Sequence, residues 1–269
     1  MKINNNPNGE NRVIGRRELL TFTWITLMSF PLLGLATFMS KSSTTPAAFN
    51  SEKTASESQD KKLRIGVIGA GWLGGTVGSL LVKAGHEVMF SSRHPEELKS
   101  MAAKLGERAS VGTTSEAAAF GNVLLFAVPY DAIPQLGIDL KDLIKGKIVL
   151  DACNGGSDAL GEEVKVNGNG PTTAKYLSGA RVVRVFSSED ATSIGSSFER
   201  TTKKLAIPIA SNDKEGLNVA SQLVRDAGCD PVIVGDLSTA VKFQRNTPAF
   251  RVNATASELR SILNLKNDK

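Results

Sequence analysis

Thiols and imidazoles are scarce in this chain. Its 269 residues include two cysteines, two histidines, two tyrosines and two tryptophans. Cys153 and Cys229 lack the close spacing of a metal motif. Two cysteines make no disulfide framework, although a single bond between them stays open on sequence alone. His86 and His94 flank one expected strand; His86 follows Gly85 in a helix-to-strand turn and reads as structural rather than catalytic. So few imidazoles and thiols supply neither a metal ligand set nor a Ser-His-Asp triad. No Lys/Arg run is interleaved with aromatics, so the net charge of +5 does not point to nucleic acid. No internal repeat is visible.

What is present is concentrated in residues 62–97. An apolar, β-branched run ending Ile65-Gly66-Val67-Ile68 leads into Gly69-Ala70-Gly71-Trp72-Leu73-Gly74, and an amphipathic stretch follows to Lys83. A glycine fingerprint placed between a strand and a helix is far more specific than the same pattern alone. Gly69 permits the tight turn, Gly71 lets a pyrophosphate approach the backbone, and Gly74 lets the helix lie close to the sheet. The free N–H groups at the helix start then face the phosphates. The second strand closes on Phe90-Ser91-Ser92-Arg93-His94, with no Asp or Glu to hold a ribose 2′-OH. A guanidinium and hydroxyls suit a 2′-phosphate, so the cofactor expected is NADP(H), with Ser92 and Arg93 at that phosphate.

Ahead of this unit, residues 1–40 read as a targeting or anchoring segment. Arg16-Arg17 precedes an uncharged apolar stretch from Leu19 to Met39, which resembles a twin-arginine export signal with Leu19 at the usual Phe position. The stretch is long enough to span a bilayer, so membrane attachment through residues 16–40 or export from a bacterial cytoplasm is expected, with a cytoplasmic location as the alternative. Residues 41–60 read as a disordered Ser/Thr/Ala/Glu/Lys linker, and the folded part, 61–269, begins near Lys61.

From there strands and helices alternate, the pattern of a doubly wound α/β (Rossmann) fold with a mostly parallel sheet, one folded domain and a small C-terminal extension. Strands are expected around Asn122–Val128, Lys147–Asp151, Arg181–Phe186, Lys204–Ala210 and Pro231–Val234, with helices at Pro95–Leu105 and Asp213–Ala227 and from Ser238. Ser157–Pro171, with three glycines between its ends, reads as a long loop. Ligands of such sheets sit beyond the carboxyl ends of the strands. Ala127-Val128-Pro129 and the turn at Cys153-Asn154-Gly155 are therefore candidates for the nicotinamide end.

With these residues in hand, Ile65 to Val241 resembles the NADP oxidoreductases that use the deazaflavin coenzyme F-420. Further marks are Ser91-Ser92-Arg93, Leu150-Asp151-Ala152-Cys153-Asn154, Ser211-Asn212-Asp213 and Gly235-Asp236-Leu237. The resemblance implies that Gly69, Ala70, Gly71, Trp72, Leu73, Gly74, Ser92 and Arg93 hold NADPH, with Ala127, Val128, Pro129 and Asn154 toward the nicotinamide. The departures from the family's pattern fall on the second-substrate side: Asn154-Gly155 in place of Asn-Pro, Arg184-Val185-Phe186-Ser187 in place of Lys-Ala-Phe-Asn, and no Leu-Glu near Val241–Gln244. The glycine-turn half also resembles the cytosolic domain of membrane metalloreductases and the first domain of pyrroline-5-carboxylate reductase.

The function expected is hydride transfer between NADP(H) and a second redox cofactor or small acceptor, deazaflavin-like by resemblance. The alternatives are a non-catalytic NADPH-binding sensor or scaffold, an imine or carbonyl reductase in which Tyr130 could donate a proton, and a ferric reductase. A homodimer is compatible with all of them. An enzyme would show an open cleft bounded by Pro129, Asn154 and Ser187. In a sensor, Tyr130 or Phe186 would fill that space.

Overall fold

The computed structural model of the protein describes residues 62–155 and 159–266. The readings made for residues 1–60 lie outside them. Among the described residues no helix is long and apolar enough to cross a membrane.

Among the described residues eight strands form one sheet: β1 (Arg64–Ile68), β2 (Glu87–Ser91), β3 (Ala109–Gly112), β4 (Val123–Phe126), β5 (Ile148–Asp151), β6 (Arg181–Arg184), β7 (Ala206–Ala210) and β8 (Asp230–Gly235). Their order is β3-β2-β1-β4-β5-β6-β7-β8. The chain starts mid-sheet, winds outward to β3, then returns to lay β4 on the other side of β1. This is the doubly wound arrangement expected, and its reversal between β1 and β4 is where such sheets bind ligands. Neighbours are parallel except β6 and β7, which meet antiparallel at Arg184 and Ala210.

Alternation along the strands feeds two apolar layers. On one face Ile65, Val67, Phe90 and Leu150 pack with Val77 and Leu81 of α1 (Trp72–Lys83). On the other, Ile68, Leu124, Phe126 and Val149 meet helices that follow α2 (Lys99–Leu105), namely α3 (Thr114–Phe120), α4 (Ile133–Asp139) and α5 (Lys141–Ile144). Local signals set the helix ends. Thr113 and Glu116 form a reciprocal capping box on α3, each side chain taking the other's backbone N–H.

Two expectations need correction. The segment Ser157–Pro171 is not a long loop: α6 (Gly161–Asn167) and α7 (Asn169–Tyr176) occupy most of it, while residues 156–158 lie outside the described ones. Its glycines fall at helix ends, Gly168 turning the chain at φ +80°, and Pro171 sits in the first turn of α7, where no N–H is missed. The disulfide left open between Cys153 and Cys229 is not formed; both are buried free thiols. Two smaller differences concern helix type: Pro95–Leu98 and Leu237–Phe243 are 3-10 turns.

After α8 (Ala191–Phe198) and α9 (Lys214–Asp226), the last stretch carries α10 (Ala256–Ile262). Ala249, Ala254, Leu259 and Leu263 close over Ala206, Ala210, Val232 and Val234 of the outermost strands. The return path of this extension is pinned at Glu189. Its Oε1 accepts the Asn253 N–H at 3.2 Å, and the Ser188 carbonyl accepts the Arg251 N–H at 2.7 Å. Arg251 and Asn253 both adopt left-handed backbone, φ 57° and 46°.

Burial pushes the Glu189 carboxyl up to about 7 from an ordinary 4.5, Asp190 adding to the rise. A raised folded-state pKa means that the native protein keeps a proton which the unfolded chain has already lost. The stability contributed is fully present below about pH 4.5 and is lost as pH rises through 7. Glu189→Gln, neutral throughout, should therefore weaken this decline and be more stable than wild type at pH 8. Urea midpoints at pH 4.5 and pH 8 check this; equal pH dependence in the two proteins would contradict it.

Candidate functional site

The β1–α1 turn shows what its sequence asks of it. Gly69 has φ +95°, and a Cβ there would stand 2.6 Å from the Ala127 carbonyl oxygen. The Gly69 and Ala70 N–H groups donate to the Ser91 carbonyl at 3.2 and 2.8 Å, which ties the turn to the end of β2. A Cβ on Gly74 would lie 2.2 Å from the Gly69 oxygen, whereas one on Gly71 would meet nothing within 4 Å. Gly71 thus presents bare backbone to open space. It also precedes a twelve-residue helix with no side-chain cap and no acid in its first turn. Unpaired N–H groups at the positive end of the dipole make a seat for an anion.

In front of this turn lies a groove of about 590 Å³. Gly69, Ala70 and Gly71 form its floor, Ser92 and Arg93 one end, and Val128 and Pro129 the opposite wall; Asp131 and Gln135, before and on α4, complete it. Arg93 is exposed and makes no hydrogen bond or ion pair among the described residues. The Ser92 hydroxyl oxygen accepts the His94 N–H at 3.0 Å, leaving its own hydrogen to donate. Ser91 is different: it is buried and its hydroxyl donates to the Val67 carbonyl at 2.7 Å, so it is unavailable to a ligand.

The remaining candidates divide. Trp72, 71% exposed, faces a separate groove with Thr76, Met101 and Gly195, and Leu73 packs against the core. Both bring only helix N–H groups to the turn. Ala127 lines the first groove, and the Val128 N–H points to the Cys153 sulfur at 3.4 Å, joining the ends of β4 and β5. Asn154 is half-buried. Its Nδ2 donates to the Ser187 carbonyl at 2.7 Å and its Oδ1 accepts from Arg184 Nη2 at 2.8 Å.

The cleft expected between Pro129, Asn154 and Ser187 is not open among the described residues. Pro129 lines the groove but Asn154 and Ser187 do not: Asn154 turns its Nδ2 to the Ser187 carbonyl, and Ser187 is buried. Tyr130 fills the space beneath: a Cβ on Gly155 would lie 2.4 Å from its ring. Tyr130 is no proton donor either. Its hydroxyl donates to the Asn169 carbonyl at 2.8 Å and accepts from Thr173 at 3.1 Å, and burial pushes the phenol far above its ordinary value. His86 is structural, as expected: Nδ1 accepts the Leu63 N–H at 3.1 Å, so Nε2 donates to Asp226 at 3.0 Å.

Sequence reading missed the pair at the centre of this region. Arg184 and Asp151, opposite one another in β6 and β5, are both wholly buried, with Nη1 and Oδ2 at 2.8 Å. The signal was there to be read: a charge inside Val182-Val183-Arg184-Val185-Phe186 and another closing Ile148-Val149-Leu150-Asp151, in strands covered on both faces.

Fold and groove together define a dinucleotide-binding domain of the doubly wound kind. Residues 64–155 match the family model described as NADP oxidoreductase, coenzyme F-420-dependent, so the resemblance read from the motifs holds over the glycine turn, Ser92-Arg93, Val128-Pro129 and Asn154. Among solved structures, a hypothetical protein from Sinorhizobium meliloti aligns with a TM-score of 0.63 at 22% identity, over 72% of this chain and 96% of that one. A candidate F-420-dependent NADP reductase from Arthrobacter sp. aligns with a TM-score of 0.56 at 21% identity, over 66% and 87%. An imine reductase from Pseudomonas sp. gives 0.51 at 18%, over 67% of this chain and 58% of the enzyme. At these identities the likeness is one of fold.

Arg93→Ala should weaken NADPH binding by about 1.5–3 kcal/mol, roughly tenfold or more, and leave NADH nearly unchanged. Titration of both nucleotides against both proteins checks this; parallel losses would remove Arg93 from the 2′-phosphate site.

Proposed function

We propose that the folded part of this protein binds NADP(H) and passes hydride between its nicotinamide and a second redox cofactor or small acceptor. One observation carries the reading. The groove runs from a guanidinium that is unpaired among the described residues, at a β2 end with no acid, to the uncapped start of α1. These donors fit a 2′-phosphate at one end and a pyrophosphate at the other. When bound, the nicotinamide supplies the hydride. The chain contributes binding, orientation and exclusion of water, so no general base is needed.

The acceptor is the finer question. The family match ends at residue 155, before Ser187 and the rest of the second-substrate side, where the sequence departs from the family's pattern. A deazaflavin is the first acceptor to try because of that match. The Asn154–Ser187 hydrogen bond and the Tyr130 ring beneath Gly155 favour a second reading, an NADPH-binding sensor that carries out no turnover. Export or membrane attachment through residues 16–40 belongs to the proposal too, with the domain outside the cytoplasm because Arg16 and Arg17 favour the inner side. A homodimer is also proposed.

NADPH oxidation by the purified protein should be seen with at least one of deazaflavin, flavin, a ferric chelate and a cyclic imine. Tight NADPH binding with no oxidation in any of them would decide for the sensor. Protease added to intact spheroplasts should digest the domain; full protection would reverse the orientation.

A further inference from the structure

Arg184 is the largest wholly buried side chain that the proposed hydride transfer leaves without a task. Burying a guanidinium in a sheet carries a desolvation penalty that pairing at best offsets. An apolar side chain would pack there without that cost. What the charge does is therefore written in its contacts. Nη1 donates to Asp151 Oδ2 at 2.8 Å and also to the Cys153 carbonyl. The other carboxylate oxygen, Asp151 Oδ1, accepts the Cys153 N–H at 3.0 Å. Both polar backbone groups of Cys153 are thus held by one ion pair. Nη2 then donates to Asn154 Oδ1 at 2.8 Å.

This last bond fixes which way the Asn154 amide faces. With Oδ1 on the guanidinium, Nδ2 must point to the Ser187 carbonyl, 2.7 Å away. In the flipped orientation two oxygens would oppose each other across that gap. An amide nitrogen carries two N–H groups, and among the described residues only one is used. Asn154 is half-buried, and the Cys153 sulfur beside it accepts the Val128 N–H from the groove wall. An oriented N–H, unused among the described residues and one residue beyond the sulfur that holds the groove-lining Val128, suits the carboxamide oxygen of a nicotinamide.

We propose that Arg184 is a positioning residue for the nicotinamide half of the cofactor, acting through the turn it holds at Cys153 and Asn154. The inference rests on the reading of the groove as an NADP(H) site. Arg184 has no exposed surface and touches no ligand itself.

The test compares two ligands. On this reading adenosine 2′,5′-bisphosphate occupies only the Arg93 end of the groove, whereas the nicotinamide of NADPH extends past Val128 to come within reach of Asn154. Arg184→Lys keeps the charge opposite Asp151 but loses the planar fork, and Asn154→Asp keeps a partner for Arg184 but has no N–H. Each should weaken NADPH by about tenfold, the worth of one hydrogen bond, with the bisphosphate affinity within twofold of wild type. Equal losses for both ligands would make Arg184 a support of the fold alone and overturn the proposal. So would unchanged NADPH affinity in both variants, or a wild type that binds the two ligands equally well. Asn154→Asp leaves the buried pair intact and keeps the test open should Arg184→Lys fail to fold. A wild type that does not bind the bisphosphate at all refutes the NADP(H) reading itself, a different result from any of these.

Discussion

The close approach of two stretches of backbone, at the crossing of β1 and α1, governs the rest of the structure. The Gly74 α-carbon lies so near the Gly69 carbonyl that no side chain fits between them. That contact brings the start of the helix against the end of the strand, and from it follow three things. The helix N–H groups open onto the crevice rather than onto protein, the β1 end meets the β2 end through the Ser91 carbonyl, and Ala127 can close against Gly69 from β4. The phosphate seat, the ribose end and the far wall of the groove are three consequences of one spacing.

A second constraint holds the far side of the site. Asp151 and Arg184 are neutralised by each other and wholly out of water. A buried pair of this kind contributes little net stability, but removal of one member leaves a bare charge, at a cost of about 3–5 kcal/mol. Such a device suits fixing a conformation better than strengthening a core. Around it the backbone is not relaxed: Phe186 sits at φ +58°, and the Arg184 Nε, Ser187 Oγ and Ser188 Oγ have no hydrogen-bond partner among the described residues. Irregular backbone and unsatisfied polar groups gather where sheets of this type bind their ligands.

How much of this was legible in advance depended on how local each feature was. The glycine turn, the absence of an acid after β2 and the alternation of strands and helices are written within short windows, and the structure reproduces them. The segment Ser157–Pro171 reads locally as a loop because of its glycines, but Gly161 and Gly168 stand at helix ends and Gly170 makes room for the Leu237 backbone, which lies far along the chain. Ser91 and Tyr130 carry hydroxyls that looked available. Val67, Asn169 and Thr173, which occupy them, are 24 to 43 residues away. The Asp151–Arg184 pair spans 33 residues and needs the strand order to be known before its two charges can be set face to face.

The junction of β6 and β7 has a consequence of a mechanical kind. Every other neighbour pair in the sheet runs parallel over four or five registered positions, but here the strands turn antiparallel and meet at Arg184 and Ala210 alone. Side-chain contact supplements this seam: the Ser211 hydroxyl donates to the Val182 carbonyl, and Arg181 pairs with Asp213. Backbone pairing does little there. The two sides are joined instead through one continuous apolar core, in which Val183 and Val185 pack with Ile207 and Ile209 of β7 and Leu223 of α9. Arg184 therefore stands where the ladder is thinnest, and side-chain packing rather than backbone pairing carries the load from one half of the sheet to the other.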